Sequence, residues 1–533
     1  MKKVPSVLFL IVYIVLLIMP GCKENSGSGS AKEISLPGNE KWWGGATLDG
    51  RNSPLTDGKF TYDQDANCKT NQAAPLFISD KGNFIWSEKP LSIEITREKI
   101  VVRAKGGEVI TGKSGNTLRD AFLYSSKTFF PPSGKIPDPL LFTSPQYNTW
   151  IELQYNQNEK DILKYADDIV KNGFPVGVIM IDDNWQERYG TWSFDCRKFS
   201  DPKEMIEKLH KMGFKVMLWV VPFISSDSPV YRELERKRLL IFEDSTKTKP
   251  AKIEWWNGVS ALVDLSNPEG IKWFKNELDK LVNEYGVDGF KLDAGDPESY
   301  TGTYSFKDFT PNEQCEAYAK LGLEYPLNEL RACWKMAGQP LVQRLRDKSH
   351  TWDDVRVLIP DMISLGLIGH QFGCPDMIGG GEWTSFQDSS IMDEELIVRS
   401  AQTSTLMPMM QFSVAPWRVL GKENLEICKK MAALHYSMGS EILNLAKECA
   451  LSGEPMIRNL EYEYPSMGYD GIKDQFMLGS RILVAPVVVK GQRSREVVFP
   501  EGSWQGDDGS TVNGPVTLKI EVPLERLPWY RKI

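Results

Sequence analysis

Apolar and polar residues alternate through "SIEITREKIVVRAKGGEV" (92–109), which carries a Gly-Gly turn near its end. This period of two predicts β structure from about residue 33 to 145. "FFPPSGKIPDPLLF" (129–142) is Pro-rich and reads as a boundary. Beyond it the pattern changes. "TWIEL" (149–153), "VGVIMIDD" (176–183), "KVMLWVVP" (215–222), "VDGFKLDAG" (287–295) and "LIGHQFG" (367–373) read as short strands. Between several of them lie helical patterns such as "EKDILKYADDIVKNG", "DPKEMIEKLHKMG" and "EGIKWFKNELDKLVNEYG". Such alternation over some 300 residues implies parallel strands with helical crossovers. The length suits a closed (β/α)₈ barrel, and no GxGxxG phosphate loop supports a doubly wound sheet. After about residue 465 the helical pattern stops, and "QFMLGSRILVAPVVVKGQRSREVVFPEGSWQ" and "GPVTLKIEVPLERLPWY" read as strands. The expected fold is therefore α/β: a TIM barrel at 146–465, between an N-terminal β-sandwich at 36–145 and a small C-terminal β domain at 466–533.

The first residues obey a different pattern. Lys2 and Lys3 precede an uncharged run that ends in "MPGC" at Cys22. A basic start, an apolar middle and a small-residue end describe an export signal. The Cys after Gly21 points to a lipoprotein signal at 1–22 with Cys22 as the acylated residue, although Met19 and Pro20 fit the cleavage motif imperfectly and leave an uncleaved membrane anchor as the alternative. Residues 23–35 then read as a flexible tether. The expected place is the periplasm or the cell surface of a bacterial envelope, with membrane contact only through the lipid anchor.

Composition narrows the partners. Across 533 residues the net charge is −8, which argues against nucleic acid or an anionic membrane surface as partner, since both select clustered Lys and Arg. Cys22 aside, seven cysteines remain, an odd number without a CxxC pair, so a complete disulfide framework is excluded. The four histidines show no HExxH spacing, and neither a metal nor another cofactor is expected.

The candidate chemistry lies where the predicted strands end. In such a barrel the C-terminal strand ends build the active site. They carry Asp182, Asp183 and Trp185, then Trp219, then Lys291 and Asp293, and Asp376 follows "LIGHQFG". Burying a carboxylate costs several kcal/mol unless it is compensated. One such Asp could cap a helix, but that does not readily explain a cluster of carboxylates and tryptophans at one rim, which points to chemistry.

Four ordered segments resemble glycoside hydrolase family 31, the retaining α-glycosidases: "FSDPKEMIEKLHKMGFKVMLWVVPFI", "DGFKLDAGD", "TWDDVRVLIPDMISLGLIG" and "EPMIRNLEYEYP" with "DQFMLGSRILVAPVVVKG". The resemblance runs from about 149 to 533 and implies an oligosaccharide or other α-glycoside as substrate. It places the nucleophile of "KLDAGD" at Asp293 and the acid/base of "DKSHTW" at Asp347. Asp347 lacks the usual preceding Gly (Arg346 stands there) and the following Asn (Lys348), so Asp353 and Asp354 are its fallbacks. Asp347 would need burial and the nearby Asp293 charge to hold its proton. By the same resemblance Asp182, Asp183 and Asp376 accept sugar hydroxyls, Trp185, Trp219 and Trp256 wall the pocket, and Arg331 contacts substrate. Lys291 belongs to the binding set and is expected to keep Asp293 ionised.

Departures from the pattern bear on specificity. Gln339 and Ser413 stand where α-glucosidases of the family carry an Arg and a His that contact the sugar, and "DIGGF" becomes "DMIGGGE". "KLDAGD" and "IDDNWQERYG" look more like the branch with the myogenesis-regulating glycosidase and bacterial α-galactosidases. An α-galactosidase is the expectation, with an α-glucosidase or another α-hexosidase as alternative. Two readings from other classes are a carbohydrate-binding lipoprotein without catalysis, and a metal-dependent barrel enzyme using Asp182, Asp293 and Asp376 as ligands.

Overall fold

The computed structural model describes residues 31–36, 38–387 and 392–533; residues 1–22, with the expected export signal and Cys22, lie outside the described residues. Eight parallel strands form the central sheet: Gln146–Asn148 (β1), Val178–Ile181 (β2), Lys215–Val220 (β3), Gly289–Leu292 (β4), Leu327–Leu330 (β5), Gln343–Arg344 (β6), Gly373–Cys374 (β7) and Gln411–Phe412 (β8). From β1 to β7 each strand pairs with the next in sequence, and β8 returns to β1. At the seam between β7 and β8 a single parallel bridge joins Met377 to Gln411, so the barrel is nearly closed. The strands β2 and β4 are buried along their whole length, as a sheet covered on both faces requires.

The helices between them start on one local grammar. Asp201-Pro202, Ser228-Pro229, Asn267-Pro268 and Thr310-Pro311 each place a capping side chain before a proline in the first turn. The side-chain oxygen accepts an otherwise orphaned N–H, and the proline lacks the N–H that would have had no partner there. Helix Pro268–Tyr285 stops at Gly286, whose left-handed conformation turns the chain toward β4.

Two expected strands are displaced. "TWIEL" is the one-turn helix Trp150–Leu153, because strand β1 ends at Asn148 and its side-chain oxygen accepts the Trp150 N–H at 2.8 Å. Within "LIGHQFG", Leu367 closes helix Trp352–Leu367 and only Gly373 enters β7. That helix is apolar and mostly buried around its girth, and periodicity alone cannot separate such a segment from a buried strand.

The N-terminal domain is built on two sheets, but it is not β throughout as expected: Thr117 caps the helix Leu118–Phe129 with its side chain, and Asp120 returns the bond. Leu91–Ile95 and Lys99–Ala104 form the alternating hairpin, and Lys32–Ser35 pairs with the second of these strands. Residues 32–35 are thus sheet rather than tether, since their backbone finds a ladder partner over four residues. The second sheet includes Gln72–Ser79 and takes a strand from the barrel, Cys333–Trp334, which runs parallel to Gln72–Ala73. That strand occupies the connection between β5 and β6, where a barrel usually has a helix. The C-terminal sheet begins at Ile457–Arg458, upstream of the expected start, carries the long hairpin Ser494–Gly506 and Thr511–Glu521 at its far edge, and takes Trp529–Lys532 as its last strand in sequence. Among the described residues no helix is long and apolar enough to cross a membrane.

Candidate active site

A cavity of about 310 Å³ opens at the C-terminal ends of the barrel strands, near the lower bound of about 300 Å³ usual for small-molecule sites. Asp182, Asp183, Trp219, Trp256, Lys291, Asp293, Arg331 and Asp347 all line it. Eight of the ten expected site residues on the barrel therefore meet around one space, although 165 residues separate the first from the last.

Asp293 follows β4 directly and is buried. Its Oδ2 accepts the Trp219 indole N–H at 2.8 Å, and its Oδ1 accepts the Ala294 N–H at 2.8 Å and Arg331 Nε at 2.5 Å. Burial by itself raises a carboxyl pKa, but here the Arg331, Lys291 and Arg344 charges and the Trp219 bond outweigh it and hold Asp293 well below the usual carboxylate range. The chain leaves the site through Ala294 and Gly295, both left-handed. A Cβ on Gly295 would stand 2.4 Å from the Tyr318 ring, so only glycine fits that turn.

Arg331 follows β5 and is shared. Its Nη1 and Nη2 donate to Asp296 at 3.2 and 2.7 Å, and its guanidinium lies 5.8 Å from the centre of the Trp256 ring. The Lys291 charge helps keep Asp293 ionised, second to Arg331, but its hydrogen bond goes elsewhere. Its Nζ donates to Asp182 at 2.7 Å, because β4 and β2 both turn these side chains into the barrel mouth. Asp183 accepts the Asn257 amide at 2.6 Å and the Tyr189 hydroxyl at 3.2 Å. Burial, then the adjacent Asp182 charge, push its carboxyl up to about 7 against those hydrogen bonds. It can therefore either donate or accept near neutrality.

Asp347, after β6, differs from expectation. Its side chain is 39 % exposed, and Arg344 Nη1 donates to it at 2.6 Å. A cation and solvent face it, not a dry niche, because the loop after β6 leads outward. Arg344 also donates to Asp376 at 2.6 Å and lies 3.3 Å from Glu329. The fallbacks lie elsewhere: Asp353 is exposed in the first turn of helix Trp352–Leu367, and Asp354 accepts the Ser349 N–H at 2.7 Å there. Neither lines the cavity.

Two expected binding residues do not reach the cavity. Trp185 is fully buried against Trp192 and Phe194, and its indole donates to the Trp219 carbonyl at 2.8 Å, so it supports the wall from behind. Asp376 is buried behind Asp347, bound by Arg344 and the Lys348 N–H. Burial and the Asp347 charge push it up to about 7 against Arg344. The carboxylates of the metal-ligand reading each face a separate cation: Lys291 for Asp182, Arg331 for Asp293, Arg344 for Asp376. Gln339 and Ser413 also stand outside the cavity; Ser413 is buried, its Oγ accepting the Ile151 N–H at 2.8 Å.

Sequence reasoning missed Trp150, Tyr155, Arg346, Glu382 and Trp383, which complete the lining. Reading 149–153 as a strand hid Trp150. Asn257 and Trp256 come from the turn of the hairpin Ile253–Trp255 and Gly258–Leu262. The "NG" in "WWNG" was an available hairpin signal.

A family model described as "Glycosyl hydrolases family 31 TIM-barrel domain" matches residues 144–442, and "Glycosyl hydrolase family 31 C-terminal domain" matches 453–532. The chain is 30% identical over 425 residues to the myogenesis-regulating glycosidase of Mus musculus, covering 77% of this chain and 59% of that protein. It is 24% identical to an alpha-xylosidase of Saccharolobus solfataricus, covering 86% and 64%. The chain thus spans less than two thirds of the length of these relatives. A Flavobacterium johnsoniae GH31 dextranase complexed with glucose shares the fold with a TM-score of 0.84 at 21% identity, over 96% of this chain and 68% of that one. Two family models in register with the barrel and the sheet that follows it place this chain in glycoside hydrolase family 31.

Proposed function

We propose that the chain is a retaining, exo-acting α-glycoside hydrolase in which Asp293 is the nucleophile and Asp347 the acid/base. One observation carries the reading: a buried carboxylate kept ionised by surrounding cations lines the same cavity as a second carboxyl, which is open to solvent on one side. In the first step an Asp293 oxygen bonds to the anomeric carbon as the bond to the leaving oxygen breaks, and Asp347 gives that oxygen its proton. In the second, water loses a proton to Asp347 and its oxygen displaces Asp293. Substrate seated in the cavity would remove water from Asp347. Asp182 and Asp183 are placed to bind hydroxyls, and Trp219 and Trp256 to cover the ring.

The finer reading is an α-galactoside substrate. It is supported by Gln339 and Ser413 in place of the Arg and His of α-glucosidases, neither of them reaching the cavity. Asp183, able to donate or accept, suits an axial hydroxyl. A site built around one hydroxyl rejects a sugar that misplaces it, at about 1–3 kcal/mol per unpaired group. One or two such contacts favour galactoside by roughly 10- to 1000-fold in kcat/KM. A panel of nitrophenyl α-galactoside, glucoside, xyloside and N-acetylgalactosaminide measures this. Equal cleavage of the glucoside or xyloside removes the galactoside reading and leaves the hydrolase reading standing.

We further propose export as a lipoprotein anchored through Cys22. The basic start, apolar run and terminal "GC" of residues 1–22 support it. Cys22→Ser is expected to move the full chain out of the membrane fraction, and unchanged fractionation speaks against the anchor.

A further inference from the structure

Among the described residues, Asn71 and Gln72 make four hydrogen bonds of one kind. Asn71 Nδ2 donates to the carbonyls of Arg331 at 2.8 Å and Arg344 at 3.0 Å, and Gln72 Nε2 donates to the same two carbonyls at 2.8 Å each. Both side chains are fully buried, neither lines the cavity, and both belong to the N-terminal domain. Next to them, the Thr70 carbonyl accepts Arg331 Nη1 at 2.8 Å, and Asn71 Oδ1 accepts the Arg346 N–H at 3.2 Å.

The barrel explains the need. Strands β5 and β6 share a single register pair, Leu330 with Gln343. Beyond that pair, among the described residues, neither strand offers the other a ladder donor, and buried carbonyls must be satisfied elsewhere. The two amides fill the gap at the residues whose side chains hold the site's carboxylates. Arg331 binds Asp293 and Asp296; Arg344 binds Asp347 and Asp376. The connection after Arg331 is also zipped to the same segment, with Cys333 N–H donating to the Asn71 carbonyl at 2.9 Å and Lys335 N–H to that of Ala73 at 2.9 Å. Gln72 Oε1 is buried without a partner among the described residues, which costs stability and shows that this amide is placed for its donors.

We infer that Asn71 and Gln72 are positioning residues: a clamp from the N-terminal domain that sets the spacing of the Arg331 and Arg344 strand ends, and through them the relative placement of Asp293 and Asp347. The inference rests on the roles proposed above for those two carboxylates.

The test compares Asn71→Ala, Gln72→Ala and the double variant in the full chain, on the nitrophenyl glycoside that wild type cleaves. Each single variant keeps two of the four bonds and is expected to lose only a few-fold in kcat. The double variant frees both strand ends and is expected to lose about 10- to 100-fold, the scale of a misplacement of about 1 Å, with KM little changed. Its acid limb in kcat/KM is expected to move to higher pH, because Arg331 drifts from Asp293. A purely structural role lowers the melting temperature and leaves that limb in place. A folded double variant with wild-type kcat and an unmoved acid limb overturns the inference. If the double variant does not fold, a shifted limb in either single variant supports the clamp, and unshifted limbs in both overturn it. Wild-type chain inactive on every glycoside is a failure of the hydrolase reading instead. The clamp is then judged by a crystal structure of the double variant, supported by separation of Arg331 from Asp293 and overturned by an unchanged contact.

Discussion

Asp293→Ala is expected to abolish turnover while leaving the fold intact. Of the neighbouring cavity carboxylates, Asp182 is held by Lys291 and Asp183 by Asn257 and Tyr189. Asp296, three residues on, is held by two nitrogens of Arg331 and does not line the cavity. The same contact protects the variant's stability. Breaking a buried ion pair normally strands a charge at a cost of about 3–5 kcal/mol, but Arg331 keeps Asp296 and the Thr70 carbonyl when Asp293 is gone. The loss in kcat should be on the order of 10⁴- to 10⁶-fold, as for removal of other covalent catalysts. Azide with an activated substrate should restore part of the rate and yield the glycosyl azide of inverted configuration, since it enters from the vacated side. Wild-type rates in folded Asp293→Ala sink the nucleophile assignment.

The wild-type pH profile follows from the same contacts. The surrounding cations keep Asp293 ionised far below neutrality, so the acid limb should lie below the ordinary carboxylate range. Arg331→Gln removes the first of those cations, the folded-state pKa of Asp293 rises, and the limb should move to higher pH. An acid limb unmoved by that substitution means that Asp293 is not the group it reports.

Asp347→Ala is expected to give the second-largest loss, and an unequal one. General-acid help is worth about 10²- to 10⁴-fold and matters most for a poor leaving group. Natural disaccharides should therefore suffer the full loss. Dinitrophenyl glycosides, which leave without a proton, should lose much less in their first step. The variant should fold, because Arg344 retains Asp376 and Glu329 as partners. Equal losses on both substrates contradict the acid/base role. Asp353 and Asp354, away from the cavity, are no longer the alternatives in that case. Asp183 is, as a cavity carboxyl pushed up to about 7.

How much of the site was legible depended on which residues lie next to regular strands. Asp182, Asp183, Lys291 and Asp293 were readable because β2 and β4 are unbroken buried runs that end at those residues. A strand end fixes direction, so its next residue points into the mouth. Trp185 misled because the chain turns at Asn184, left-handed, and sends the indole back under the wall. Asp376 misled for a similar reason: it is itself left-handed, and its carboxylate turns away behind Asp347. Asn and Asp favour that conformation more than other non-glycine residues, but their presence does not say which way the following side chain points. Trp383, Glu382 and Trp256 come from long connections, whose path over the rim depends on what they pack against.

By itself the sequence determined the alternation of strand and helix, the caps and prolines that start the barrel helices, and the ordered motifs that carry the family. These are local properties, set by residues a few positions apart. Only the tertiary structure decided which cation serves which carboxylate: Lys291 went to Asp182, Arg331 to Asp293 and Asp296, Arg344 to Asp347 and Asp376. It alone brought Asn71 and Gln72 to strand ends some 260 to 270 residues away. The reason is physical. Ion pairing and buried hydrogen bonding act over a few ångströms between groups far apart in the chain, so they are settled only when the barrel closes and the N-terminal sheets dock against it.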